Sequence, residues 1–285
     1  MSYVKPAAVL EAMIETGAAK ARLSVSQMIL RGAMAGAILA CATTLAYTAA
    51  AQTKLGIAGA LVFPAGFVMI VLLGLELVTG SFALIPLAVL EKKTTLAKMA
   101  ANYAWVMVGH LLGCALYAAL YALIATKMGT DTSSPLVQTL IQTSEAKTVA
   151  YKQMGGEGML LVAIKAALCN WMVTLGAVMA LTSASATGKM IAMWLPIMTF
   201  FAQGFEHAVV NMFVIPAGMM LGANVSFQDW WLWNQLPVLA GNFVGGVLFT
   251  GLLFYVAQRG IKPSEERKPA ANADAAPAAP AGKSA

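Results

Sequence analysis

Five stretches of this chain, residues 32–53, 55–75, 99–126, 166–188 and 230–258, contain no Asp, Glu, Lys or Arg. Each is long enough for a helix to cross about 30 Å of hydrocarbon, which takes roughly 20 residues. Lipid offers backbone N–H and C=O groups no partners, so a segment that crosses it must satisfy them internally, as a helix does. The whole sequence agrees: 60% of it is hydrophobic and 11% charged, where a soluble domain carries about 25% charged residues. The expected fold class is an all-α membrane protein.

Two apolar segments fit no simple span. Residues 55–90 are interrupted only by Glu76, and residues 190–228 only by Glu206 and His207. Each is too long for one helix and short for two. A carboxylate there costs roughly 2.5–3.5 kcal/mol on insertion scales, so it is not placed idly. Both segments read Gly-x-Glu followed ten residues later by Pro: Gly74, Glu76 and Pro86 in one, Gly204, Glu206 and Pro216 in the other. A helix that breaks near the midplane and continues as a half-helix accounts for the length. Gly74, Gly80 and Pro86 supply breakers in the first, and Gly204, Pro216 and Gly218 in the second. Broken backbone at that depth must face protein or water, so both breaks are expected to point inward.

The repetition runs further. Asn102-x6-Gly109-His110-x2-Gly113 is matched by Asn234-x6-Gly241-Asn242-x2-Gly245, and the lag stays between 130 and 134 residues. The expected organisation is two repeats, 28–126 and 158–260, joined by a polar stretch at 127–157 that forms a cap or ordered insertion. Each repeat holds three crossings with the second one broken, giving six transmembrane helices. Three is odd, so the second repeat enters upside down. An inverted 3+3 repeat with paired broken helices marks a transporter or channel, with its site near the midplane.

Charge placement orients this plan. With both termini cytoplasmic, thirteen Lys and Arg lie on the cytoplasmic side and five outside, namely Lys54, Lys127, Lys147, Lys152 and Lys165. That is the sign the positive-inside rule requires. The net charge of +6 therefore reports topology and not a nucleic-acid partner. Residues 1–27 form a cytoplasmic segment whose residues 4–20 read as an amphipathic helix at the membrane surface. The segment has no apolar core of a secretory signal. The Ala/Pro-rich tail, 261–285, reads as disordered and cytoplasmic. Cys41, Cys114 and Cys169 have no metal-ligand spacing and read as core-filling residues.

The residues able to carry chemistry sit at the breaks. Glu76 and Glu206 are each able to satisfy backbone N–H groups freed by the break or to touch a solute. His207 lies among apolar neighbours, which favour its neutral form. It reads equally as a satisfied core histidine or as a donor to an anion. Thr79 offers a hydroxyl from the first break, Asn170 reaches the same region from the fourth span, and Asn211 is placed to bond across the second break. His110 stands where the other half has Asn242 and reads as polar packing. Lys152 and Lys165 border the outer face, to draw in an anion or to anchor at headgroup level. Phe63, Phe67, Leu77, Phe200 and Phe201 flank the breaks, as core or as dewetting constrictions.

These runs resemble the formate–nitrite transporter family. The resemblance rests on Gly74-Leu-Glu-Leu-Val-Thr-Gly80, Leu168-Cys-Asn-Trp171, Gly204-Phe-Glu-His-Ala-Val-Val-Asn-Met-Phe213 and the two Asn-x6-Gly-[His/Asn]-x2-Gly runs. It covers about residues 5–260. It implies an aquaporin-like protomer, a homopentamer with one pore per protomer, and a multi-pass protein of the cytoplasmic membrane. It also implies that His207 is the central pore histidine with Thr79 its hydrogen-bonding partner, that Asn170 lines the vestibule and that Glu206 braces the break. Phe63, Phe67, Leu77 and Phe200 match the constriction positions, and the vestibule lysine falls at Lys152 with a two-residue shift. The expected function is transport of small monovalent weak-acid anions, formate first and nitrite second, channel-like or coupled to protons, with no cofactor, no metal and no enzymatic activity. Hydrosulfide or lactate is the alternative cargo. A neutral-solute channel is a rival, although the paired Asn-Pro-Ala signature of aquaporins is absent. An intramembrane metalloenzyme on Glu76, Glu206, His110 and His207 is another, although no Glu-x-x-His pair occurs.

Overall fold

The computed structural model describes residues 3–259, so the tail at 261–285 lies outside the described residues. The described chain is helical. Four helices are long and apolar enough to cross a membrane: α2 (Val25–Thr53), α7 (Leu96–Ala125), the span that starts with α10 (Gly156–Met179), and the last span, Phe227–Arg259. The last span runs through α13 (Phe227–Trp230), α14 (Leu236–Val244) and α15 (Leu253–Arg259), joined by two π-helical segments.

Between the long helices lie two sets of shorter apolar ones. In the first half they are α3 (Gly56–Val62), α4 (Pro64–Leu72), α5 (Val78–Ser81) and α6 (Ile85–Leu90). In the second they are α11 (Ala186–Ala202) and α12 (Ala208–Met220). The breaks fall at one place in each half. Gly74 and Gly204 adopt φ of 62° and 63°, the left-handed region open to glycine at a helix C-terminus. Leu75 N–H bonds back to Ile70 O at 3.0 Å and Gly74 N–H to Val71 O at 3.1 Å. Phe205 N–H to Phe200 O at 3.2 Å and Gly204 N–H to Phe201 O at 3.1 Å repeat the motif. This pair of hydrogen bonds closes the ends of α4 and α11 and sends the chain out extended. The expected prolines behave differently from each other, since the first half-helix is interrupted at 82–84 and the second runs on. Pro86 starts α6, where its missing N–H is unneeded, and Pro216 lies inside α12.

Close packing between the long helices needs the glycines. A Cβ on Gly113 would stand 1.9 Å from Ala33 O, and one on Gly245 2.1 Å from Ala167 O. Backbone thus meets backbone at matching points of α7 on α2 and of the last span on α10, the small-residue contact common between membrane helices.

The polar stretch between the halves folds into α8 (Pro135–Ala146) and α9 (Val149–Gln153). Helix α1 (Pro6–Lys20) buries Val9, Leu10, Met13 and Ile14 against Leu84, Leu87 and Val178. Its apolar face therefore packs on protein. Helices α1 and α8 hold equivalent places. Asn102 Nδ2 donates to Lys20 O at 3.0 Å, at the end of α1, and Asn234 Nδ2 donates to Lys147 O at 2.8 Å, just past α8. The repetition thus takes in one more helix per half than the motifs alone revealed.

Candidate functional site

The extended residues after each break carry the buried charge. Glu206, 2% exposed, accepts from Lys147 Nζ at 2.7 Å, Asn211 Nδ2 at 2.8 Å and Tyr151 Oη at 2.9 Å. Asn211 also donates to Asn234 Oδ1 at 2.9 Å, tying α12 to the last span. Glu76, also 2% exposed, accepts from Lys20 Nζ at 2.9 Å through one oxygen, and the other has no partner among the described residues. Each carboxylate therefore has a lysine brought by α1 or α8. Burying a charge is tolerable only when it is paired and hydrogen-bonded, which explains why those two helices fold back onto the breaks.

His207 is the residue just before α12, 2% exposed. Its Nδ1 accepts the Val210 N–H at 3.2 Å, so the side chain caps its own half-helix. Its Nε2 lies 2.9 Å from Thr79 Oγ1 of the first break. A neutral imidazole has one donor and one acceptor. With Nδ1 accepting, the ring proton sits on Nε2 and is directed at Thr79. Asn170 Nδ2 ties the first break to the last span, donating to Thr79 O at 3.1 Å and Asn242 O at 2.7 Å. Thr79 and Asn170 are both fully buried.

Two cavities flank this junction. One, of about 320 Å³, is lined by His207, Glu206, Phe200, Phe201, Lys147 and Lys165 among others. The other, of about 330 Å³, is lined by Glu76, Leu77, Phe67, Lys20, Arg31 and Lys189 among others. Phe200 stacks on the His207 ring with centroids 5.6 Å apart and planes 23° apart. Phe63 lines neither cavity and stacks behind at 4.0 Å from Phe201 and edge-on to Phe200 at 5.6 Å. Apolar side chains thus line both cavities, Phe200 the first and Phe67 with Leu77 the second, and His207, which lines the first, bonds to Thr79 two residues beyond Leu77.

The lysines rearrange the expectation. Lys165 lines the Glu206-side cavity and donates to Tyr151 Oη at 3.3 Å. Lys152 is absent from that lining and pairs with Asp229 at 2.7 Å, its side chain 53% exposed. Lys147 stands at the cavity instead. Neither Lys147 nor Lys20 stands out in the sequence. The only available signal is that each precedes its glutamate by a similar distance, 56 and 59 residues, which is too loose to act on without knowing that α1 and α8 correspond.

The arrangement therefore presents two lysine-bearing cavities, one of them lined by an imidazole that bonds a buried hydroxyl at the other break. Comparison with known proteins identifies the family. The family model described as formate/nitrite transporter matches residues 7–256. Among relatives, the "Uncharacterized transporter YrhG" of Bacillus subtilis is 31% identical over 90% of this chain and 94% of its own. The "Probable formate transporter" of Methanothermobacter thermautotrophicus is 30% identical over 89% of this chain and 97% of its own. The "Formate channel FocA" of Haemophilus influenzae is 30% identical over 78% and 84%. Two solved structures share the fold at 24% identity: an "FNT family ion channel", TM-score 0.74 over 87% of this chain and 98% of that one, and a "Pentameric formate channel with formate bound", TM-score 0.64 over 82% and 97%. With its family's model matched over nearly all the described residues, this chain is a membrane-spanning member of the formate/nitrite transporter family.

Proposed function

We propose that this protein carries small monovalent weak-acid anions, formate foremost and nitrite next, across the cytoplasmic membrane in a proton-coupled, channel-like manner. The path runs from the Glu206-side cavity, taken as the outer one, past His207 and Thr79 to the Glu76-side cavity. In this reading both termini are cytoplasmic, each half-helix pair completes a crossing for six in all, and the halves are inverted copies. The protein works as a homopentamer, a reading supported by the pentameric formate channel that shares its fold.

The observation that carries the reading is the imidazole held at both ring nitrogens where it lines the Glu206-side, lysine-bearing cavity and bonds Thr79 of the other break. Stripping water from a carboxylate-sized anion costs on the order of 20 kcal/mol in the idealised limit. Lys147 and Lys165 offset part of this in the outer cavity. As the anion approaches Phe200 the surroundings lose water, its charged form is disfavoured and its proton affinity rises. The proton comes from the outer solution as hydronium, relayed through water in the cavity. His207 is the less suitable source, because a second ring proton would have to sit on Nδ1 and displace the Val210 N–H that caps α12. His207 acts as a hydrogen-bond donor through Nε2. The Thr79 oxygen accepts that bond, which leaves the Thr79 hydroxyl hydrogen to turn toward the passing solute. The neutral acid crosses Leu77 and Phe67 and gives up its proton in the inner cavity, where Lys20, Arg31 and Lys189 meet the anion.

Proteoliposomes with an acidic exterior should accumulate labelled formate, and His207→Phe should cut uptake to the protein-free rate with oligomer size unchanged. Wild-type rates in that variant would remove the histidine from the path. Swelling in glycerol without formate uptake would replace the reading by a neutral-solute channel.

A further inference from the structure

His110 and Asn242 occupy matched positions of the two halves but are different residues, and their hydrogen bonds differ accordingly. Both are fully buried. Val78 N–H, at the start of α5, donates to His110 Nε2 at 3.1 Å. His110 Nδ1 lies 2.8 Å from Gly32 O on α2. With Nε2 accepting, Nδ1 must carry the proton and donate. In the other half, Ala208 N–H, at the start of α12, donates to Asn242 Oδ1 at 2.9 Å. Asn242 Nδ2 donates to Ala166 O at 2.8 Å, and also to Glu206 O at 2.9 Å. Val78 and Ala208 are equivalent, as are Gly32 and Ala166. Each half-helix thus has its first N–H capped from a distant span by a side chain that is itself anchored to a third helix. At position 110 this takes one acceptor and one donor; at position 242 it takes one acceptor and two donors.

From this we infer that His110 is a positioning residue for the narrow part of the path: it fixes the first turn of α5, and with it Leu77 and Thr79, against His207. Given the transport reading above, on which this rests, size selection then depends on a residue that touches no solute. Val78 is buried, and its N–H has no other acceptor among the described residues. Losing His110 Nε2 releases the turn whose hydroxyl meets His207 at 2.9 Å. The bond arithmetic gives an asymmetric prediction. Asn at position 110 can make both bonds, whereas His at position 242 cannot make three.

The test compares His110→Asn, His110→Leu and Asn242→His. Leu roughly preserves volume, so its effect does not come from a cavity. The readouts are the ratio of formate to lactate permeability in proteoliposomes, which does not depend on how much protein is active, and amide hydrogen exchange over residues 77–82 in micelles. His110→Asn should keep the ratio within about twofold and keep Val78 protected. His110→Leu should lower the ratio about tenfold, within the 10–200-fold range over which an apolar pocket discriminates one methylene, and speed exchange at Val78. Asn242→His should lose the ratio or fail to assemble. A His110→Leu protein with wild-type ratio and wild-type protection would overturn the inference. So would a His110→Asn protein that lost either, or an Asn242→His protein that kept both, and the first of these keeps the inference exposed even if the leucine variant does not assemble. If wild-type protein carries neither acid, the transport reading fails, while exchange at Val78 still decides the positioning claim.

Discussion

Lys147→Met separates the structural and the solute-handling roles of the Glu206-side lysine. The ammonium lies 2.7 Å from Glu206 Oε2, with the two side chains 16% and 2% exposed. Removing it strands a buried carboxylate, and breaking such a pair by deleting one partner costs about 3–5 kcal/mol. Glu206 keeps the Tyr151 and Asn211 donors, each worth about 1.5–3 kcal/mol to a charged acceptor. The loss therefore belongs at the low end, about 3 kcal/mol, or roughly 150-fold in the folding equilibrium at about 1.4 kcal/mol per tenfold. Glu206→Gln removes the stranded charge, and the lysine left behind reaches the water of the cavity, so that single change costs about 1–2 kcal/mol less. The double variant should be more stable than Lys147→Met alone, with a coupling energy of about 2 kcal/mol. Denaturing titration of the protein in mixed micelles measures the full cycle. Formate uptake should stay low in the double variant, because the Lys147 ammonium is still gone and Lys165 alone meets the anion at that cavity. Additivity within about 0.5 kcal/mol, the behaviour of independent sites, would refute the reasoning.

Three further outcomes follow from single side chains. Thr79→Ala leaves the His207 N–H without its acceptor at 2.9 Å, at a cost of about 1–3 kcal/mol, and should slow formate uptake ten- to a hundredfold, while Thr79→Ser keeps it. Gly74→Ala and Gly204→Ala meet no neighbour within 4 Å and suffer only from φ of 62° and 63°, so each should lower stability by about 1–2 kcal/mol. Gly113→Ala drives a methyl to 1.9 Å from Ala33 O and should fail to yield folded protein; a Gly113→Ala protein that melts like Gly74→Ala would show that α2 and α7 part easily and refute the close-packing argument.

Much of this molecule is legible without coordinates. Charge-free runs force helices because lipid cannot satisfy backbone groups, and the Gly-x-Glu pairs locate both breaks. The motif does not say which of its punctuating residues does the breaking. Pro86 opens α6 after the turn at 82–84 and Pro216 lies inside α12, whereas Gly74 and Gly204 reverse the backbone, since of the motif's punctuating residues only they sit at a helix end that needs a left-handed residue. His207, Thr79 and Asn170 are recognisable as polar side chains in apolar runs. Their mutual bonds are not, because residues 128 and 91 positions apart carry no local signal of each other.

Local chemistry alone is enough to read the helical class, the repetition and the two segments in which a helix must break. Only the tertiary structure decided which lysine neutralises which carboxylate. Lys152 and Lys147 lie five residues apart on the same polar stretch, yet one meets Asp229 and the other Glu206. That choice depends on how α8 and α9 fold back over the second break, because a charge pair is set by distance in space and leaves no trace in the order of residues.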